Sequence, residues 1–381
     1  MLLERVDINP NTAAKNSLTP LLIATCEGHE GVVKLLLERN DVNPNTADEH
    51  RQTPLFIAAC KGRERVVKIL LERVDINPNI AKKGNLTPLW TATRGEHEGV
   101  VKMLLKRNDV NPNTANEHGQ TPLIIAAWKG YERVVKMLLE RNDVNPNTAN
   151  EQGLTPLSIA TREGHEGVVK MLLERNDVNP NNKDELSQTP LIIAAWKGHE
   201  RVVRMLLERA DINPNTAKKN GLTPLLIATR GGHEGVVKMM LERNDVNPNI
   251  VDEHGQTPLF IAAQKGRERV VRMLLERVDI NPNTANPSGQ MPLLIAAREG
   301  HEGVVRMLLE RVDVNSDMTD LTGATALSQA LNRGHDAIAK LLSERRNFIP
   351  PLGSDGSTTL LSPEPPDLDQ RPSKRIRMSD V

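Results

Sequence analysis

The chain has 381 residues, too many for one ordinary core, yet aromatic side chains make up only 2% of it, so its core must be aliphatic. Lys plus Arg equals Asp plus Glu at 49 each, which excludes a bulk attraction for nucleic acid or for an anionic membrane. Two cysteines exclude a disulfide framework and point to the reducing interior of a cell. No apolar run approaches the roughly 18 residues of a membrane span. The opening Met1-Leu2-Leu3-Glu4-Arg5-Val6-Asp7 lacks the order of a signal peptide.

From its first residues the chain reads as the inside of a repeat. Leu2-Leu3-Glu4-Arg5-Val6-Asp7-Ile8-Asn9-Pro10-Asn11 matches the end of a second helix and the loop after it, with no first helix before it. Residues 1–11 are therefore a partial unit, and the expectation is the C-terminal part of a longer protein or a truncated product. Thr-Pro-Leu then begins at Thr19, Thr53, Thr87, Thr121, Thr155, Thr189, Thr223 and Thr257, and Met291-Pro292-Leu293 and Thr325-Ala326-Leu327 continue the series. Every step is 34 residues, across ten units that fill residues 12–346. A fixed period of this length means stacked supersecondary units.

The unit beginning at Thr121 shows the local logic. Thr121 is suited to cap a helix and Pro122 sits where a missing N–H costs nothing. Leu123, Ile125, Ala126 and Ala127 give a short helix its apolar side, and Gly130 ends it. A second helix is predicted over Tyr131–Arg141, with Val134, Val135, Leu138 and Leu139 as its buried stripe. Asn142-Asp143-Val144-Asn145-Pro146-Asn147 breaks helix and leads through a turn-rich finger into the next unit. Such a unit cannot bury its faces alone, so copies stack into an all-α solenoid of helix-turn-helix-finger units. With small Ala126 and Ala127 between helices the pitch is about 10 Å per unit.

Gly119-Gln120-Thr121-Pro122-Leu123, Ala126-Ala127, Gly164-His165 and Val168-Val169-Lys170-Met171-Leu172-Leu173-Glu174 resemble the ankyrin repeat, over about residues 1–346. The resemblance implies a non-catalytic protein-interaction scaffold. First helices and fingers would line its concave binding face. Three departures stand out. The family's histidine after Thr-Pro-Leu is replaced by apolar residues or serine, such as Trp90, Ile124 and Ser158. The Gly-Ala pair after the second helix is shortened to one residue, such as Asn40, Val74 or Ala210. The finger, carrying Asn-Pro-Asn, is longer by about two residues. Near-identical units of this kind also resemble arrays in large fungal proteins, some with an N-terminal nucleotide-binding switch domain. That implies a partner-sensing role, although no such domain occurs in this sequence.

A second period, of 68 residues, runs through the array. His-Glu-Gly-Val-Val recurs at His29, His97, His165, His233 and His301, and Glu-Arg-Val-Val at Glu64, Glu132, Glu200 and Glu268. Duplication of a repeat pair accounts for it. Some differences nevertheless fall where the resemblance places a partner. Just after the Ala-Ala or Ala-Thr pair of the first helix stand Cys26, Cys60, Arg94, Trp128, Arg162, Trp196, Arg230, Gln264 and Arg298. Arg94, Trp128, Arg162, Trp196 and Arg230 are the candidate partner-binding ladder, since Trp and Arg dominate binding hot spots. The competing reading has Trp128 and Trp196 filling gaps in the helix stack. Fingertips differ in sign: Asp48-Glu49, Asp184-Glu185 and Asp252-Glu253 are acidic, Lys82-Lys83 and Lys218-Lys219 basic.

Patterns for chemistry are missing. The five equivalent histidines are spread about 20 Å apart, too far to converge on a metal, so no metal and no cofactor is expected. Cys26 and Cys60 sit about 10 Å apart and read as free thiols. No phosphate-binding loop, nucleophile elbow or zinc-protease motif occurs. Glu132 and Glu140, in company with Lys136 and Arg141, read as i,i+4 surface pairs rather than a catalytic couple.

Residues 347–381 change character: Pro350, Pro351, Pro363, Pro365, Pro366 and Pro372 among Ser, Gly and Asp predict a disordered tail. Lys374, Arg375 and Arg377 form a candidate nuclear-import cluster, and Ser379-Asp380-Val381 is a candidate for carboxylate capture. The expectation is a monomeric scaffold in the cytoplasm, with access to the nucleus. It would bind a protein rather than nucleic acid or membrane. The alternative is a nuclear regulatory protein acting on transcription or chromatin factors.

Overall fold

The computed structural model describes residues 9–348, with side chains to Arg345. Among these residues twenty α-helices follow one another in pairs: α1 Pro20–Glu27 and α2 Glu30–Leu37, α3 Pro54–Cys60 and α4 Glu64–Leu71, α5 Pro88–Arg94 and α6 Glu98–Leu105, α7 Pro122–Lys129 and α8 Glu132–Leu139, α9 Pro156–Glu163 and α10 Glu166–Leu173. The second half continues with α11 Pro190–Lys197 and α12 Glu200–Leu207, α13 Pro224–Gly231 and α14 Glu234–Leu241, α15 Pro258–Gln264 and α16 Glu268–Leu275, α17 Pro292–Glu299 and α18 Glu302–Leu309, α19 Ala326–Arg333 and α20 Asp336–Phe348. Each first helix packs on the next first helix and each second helix on the next second helix, which is the solenoid the period implies.

The caps explain why these short helices start and stop where they do. In nine of the ten units the threonine hydroxyl accepts from the N–H three residues on, as Thr121 does from Ile124 at 3.2 Å, and only Met291 leaves this bond unmade. Gly130 ends α7 at φ 73°, as its sequence position predicts. The third unit inverts the usual Glu-Gly order. Gly95 ends α5 at a right-handed φ of −84°, and Glu96 takes the left-handed position at φ 56°.

One core of aliphatic side chains runs through all units. Val134, Val135 and Leu138 are fully buried, whereas Leu139 is only half-buried, so the predicted stripe is narrower by one residue. That helix also stops two residues earlier than its sequence suggests. Arg141 consequently leaves the helix face. Its guanidinium holds Asp143 through two bonds at 2.8 and 2.5 Å and reaches back to the carbonyls of Leu105 and Arg107 in the preceding unit. Of the surface pairs expected among Glu132, Glu140, Lys136 and Arg141, those involving Arg141 are thus corrected, its partner being Asp143. The equivalent arginines 73, 107, 175, 209, 243, 277 and 311 repeat this arrangement, placing a cation at the negative end of each preceding second helix.

The finger carries its own cross-unit bonds. Within Asn-Pro-Asn the first asparagine accepts from the N–H two residues on, as Asn145 does from Asn147 at 2.9 Å, which sets the turn. The second asparagine bridges to the next finger. The series runs from Asn11 through Asn45, Asn79, Asn113, Asn147, Asn181, Asn215 and Asn249 to Asn283. In the ninth unit Asp317 occupies this position and has no amide to donate.

The 68-residue alternation has a structural counterpart on the second helices. Arg65, Arg133, Arg201 and Arg269 pair with the glutamate of the preceding unit at 3.1 to 3.5 Å. At the intervening junctions the arginine gives way to glycine. A methyl group on Gly99 would lie 2.1 Å from a Glu64 carboxylate oxygen, and Gly167, Gly235 and Gly303 stand the same way against Glu132, Glu200 and Glu268. Two kinds of junction therefore alternate. At the array's far end the tenth unit places Ser328, Gln329, Asn332 and Ser343 at positions that are apolar or charged in most other units, and Leu331 among them is 59% exposed.

Candidate functional site

The ladder positions lie at the C-terminal ends of the first helices, facing the fingertips. Each first helix is eight residues or fewer, so its last turn meets the finger that follows. Trp128 is 44% exposed and Trp196 58% exposed. The competing gap-filling role falls to Trp90 instead, which is 4% exposed and donates its indole N–H to the Gln120 carbonyl at 2.9 Å. Lys129 lies 4.3 Å over the Trp128 ring and Lys197 4.8 Å over the Trp196 ring, so one face of each indole already holds a cation.

The three arginines are not equivalent. Arg94 is exposed, with its guanidinium 5.7 Å over the Trp90 ring. Arg162 is half-buried and paired with Glu163 at 3.1 Å. Arg230 is tied to the buried fingertip Asp252 at 3.0 Å, so its charge is largely met within the chain.

Two neighbouring hollows bring the middle of the ladder together. The first, about 290 Å³, lies between Trp128, Arg162, Ile124 and Ile159 on the helix side and His118, Gln120, Asn150, Glu151 and Gln152 on the finger side. The second, about 360 Å³, lies between Arg162, Ile193 and Trp196 and the finger residues Gln152, Leu154, Asp184, Glu185, Leu186 and Gln188. Arg162 is shared by both. Arg94 and Arg230 line neither hollow and flank the three ladder residues that do. Lys374, Arg375 and Arg377, and the Ser379-Asp380-Val381 terminus, lie outside the described residues.

Sequence reasoning missed Leu186. It is 65% exposed at a fingertip where the other units carry His50, Gly84, His118, Gln152, Asn220, His254, Ser288 and Thr322. That departure was visible in the unit alignment. Glu151 was missed too, because a glutamate follows the fingertip Asx in most units.

The histidines act on the backbone. His97, His165, His233, His301 and His335 donate from Nε2 to the carbonyls of Cys60, Trp128, Trp196, Gln264 and Arg298 in the preceding unit, at 3.1 to 3.2 Å. His165 and His233 thereby fix the backbone that bears the two exposed tryptophans. Among the described residues no group of three or more His, Cys, Asp and Glu side chains could hold a metal ion, and no helix is long and apolar enough to cross a membrane. Cys26 and Cys60 are free thiols that line a separate hollow of about 320 Å³, with Lys61 Nζ 3.2 Å from Cys26 Sγ. A more voluminous hollow, about 870 Å³, lies far from the ladder, among residues of α18, α20 and the finger between Val312 and Asp317.

Among curated proteins none matches the chain. A family model described as ankyrin repeats (3 copies) matches residues 1–82, 75–150, 142–217, 210–286 and 278–349.

Proposed function

The chain belongs to the ankyrin-repeat family, whose members in general are protein-interaction modules without catalytic chemistry, and on that premise we propose that it is a scaffold holding a partner protein along the face made by its first-helix ends and fingertips. The contact row is Arg94, Trp128, Arg162, Trp196 and Arg230, centred on the two hollows. The observation that carries this reading is the exposure of Trp128 and Trp196. An indole left in water forgoes burial worth about 1.5–3 kcal/mol for a large apolar side chain, and a partner recovers it. Among the other large apolar residues between Thr121 and Leu222, only Leu186 is exposed to a comparable degree; the rest are buried or partly buried.

The test is the double variant Trp128→Ala/Trp196→Ala in the full chain, immobilised beside the unaltered protein and exposed to cell extract. The expected result is loss of the captured proteins with the helical circular dichroism kept. Capture that persists in the double variant removes the row from the binding surface. Loss of the fold instead would return the tryptophans to a packing role.

A further inference from the structure

We infer that the two hollows select an extended partner segment carrying one cationic side chain and, three residues away, one bulky apolar side chain. This rests on the partner-holding reading above and names the chemistry of what is held. The hollows differ in kind. Around Trp128 the finger wall is polar and ends in the exposed carboxylate of Glu151, one oxygen of which lies 3.4 Å from His118 Nδ1. An arginine or lysine placed there has an aromatic wall on one side and a carboxylate on the other, which is how guanidinium and ammonium groups are recognised.

Around Trp196 the apolar part of the wall is Leu154, Leu186 and Ile193, beside the polar Gln152, Arg162, Asp184, Glu185 and Gln188, and two of the four apolar groups, Trp196 and Leu186, stand open to solvent. No other fingertip residue at the Leu186 position is a large aliphatic. A leucine, phenylalanine or tryptophan fills such a space, which at about 360 Å³ suits one side chain better than an organic cofactor.

The charge around the pair favours a basic segment. Three successive fingertips carry Glu117, Glu151 and the pair Asp184 and Glu185, with the exposed Lys183 beside the last pair, while Arg162 is already met by Glu163. Beyond them Lys83 and Lys219 are exposed on the flanking fingertips, which confines the acidic stretch to the hollows. The spacing follows from the stack. Adjacent units repeat at about 10 Å, and an extended chain of the polyproline II kind, with three residues per turn and about 3.1 Å per residue, presents side chains three positions apart on one face, about 9 Å from each other.

Fluorescence anisotropy with short synthetic peptides on the full chain tests this. The peptides have a Ser/Gly/Thr background and carry Arg and Phe three positions apart, in both orders. Controls replace Arg by Glu, replace Phe by Ser, or place Arg and Phe side by side. In one of the two orders the spaced pair should bind about tenfold tighter than each control. Glu151→Gln should erase the preference for Arg over Glu, and Leu186→Ser the preference for Phe over Ser. Equal binding of all peptides up to about 1 mM, or variants that keep both preferences, overturns the inference. If those variants change nothing while Trp128→Ala/Trp196→Ala still abolishes partner capture, the scaffold reading stands and only this selectivity falls. If the tryptophans also prove dispensable, both fall.

Discussion

Asn147 donates from Nδ2 to the carbonyl of Asp177 at 2.6 Å, thirty positions downstream, and the same side chain accepts from the Asn179 N–H at 2.8 Å. One amide thus satisfies a donor and an acceptor of the next finger. Asn147→Ala leaves both backbone groups to water or to nothing, at a cost of about 1–2 kcal/mol because the site is partly solvated. Asn147→Asp keeps the acceptor but sets a carboxylate oxygen against the Asp177 carbonyl, so it should cost at least as much. The checks are the urea midpoint of the full chain and amide hydrogen exchange at Asn179, which should quicken in both variants. Unchanged exchange there would mean the bridge contributes nothing to holding neighbouring fingers together.

Glu96 sits at φ 56° where the equivalent residues Gly28, Gly62, Gly130 and Gly164 take the left-handed turn without a Cβ. The left-handed conformation costs an L-residue about 1–2 kcal/mol. Glu96→Gly should therefore stabilise the third unit, by about 1 kcal/mol once the added freedom of the unfolded chain is set against it. A higher thermal midpoint checks it, and a lower one would show that the Glu96 side chain makes a compensating contact.

Much of the architecture was legible because it depends on local chemistry repeated at a fixed interval. Thr121 as cap, Gly130 as stop and the aliphatic pattern of α8 each act within a few residues, and the period supplies the stacking. The cross-unit bonds were not legible. Asn147 and Asp177 are thirty residues apart, and nothing in either residue type says that successive fingers lie close enough to share an amide. Arg141 was misread for a related reason: a helix that ends at Leu139 points it at Asp143 and the preceding unit rather than along its own face. At the site, the row bearing Trp128 and Trp196 was readable as variation against a constant background. Which arginines remain available was not, because the Arg230–Asp252 pair depends on how one finger folds over the helix end.

The arginine–aspartate pairs make an acid-sensitive seam. Asp143, Asp177 and Asp211 are held below the usual carboxylate range, first by the hydrogen bond from the arginine two residues earlier and then, against some desolvation, by its charge. A depressed carboxylate pKa contributes stability that is complete above the unfolded value of about 3.9 and is lost as pH falls through the folded value. These carboxylates are about half exposed, so solvent limits each pair to about 0.5 kcal/mol. Asp143→Asn should destabilise the array slightly at pH 7 and progressively less below pH 4. Denaturant titrations at pH 7, 4 and 3 measure this, and a penalty that grows with acidity would contradict the assignment.

The exposed tryptophans permit a separation that buried ones would not. Replacing a packed core indole by alanine costs about 3–5 kcal/mol, and Trp90→Ala should show that penalty together with the orphaned Gln120 carbonyl. Trp128 and Trp196 leave 44% and 58% of their surface in water, carry Lys129 and Lys197 against a ring, and have their backbone carbonyls held by His165 and His233. The double substitution should therefore cost no more than about 1 kcal/mol per site by the small-contact end of cation–π and partial-burial magnitudes. Thermal melts of the three proteins decide it. A double variant as unstable as Trp90→Ala would show that the two indoles hold the stack, and their solvent exposure would then need an explanation other than a waiting partner.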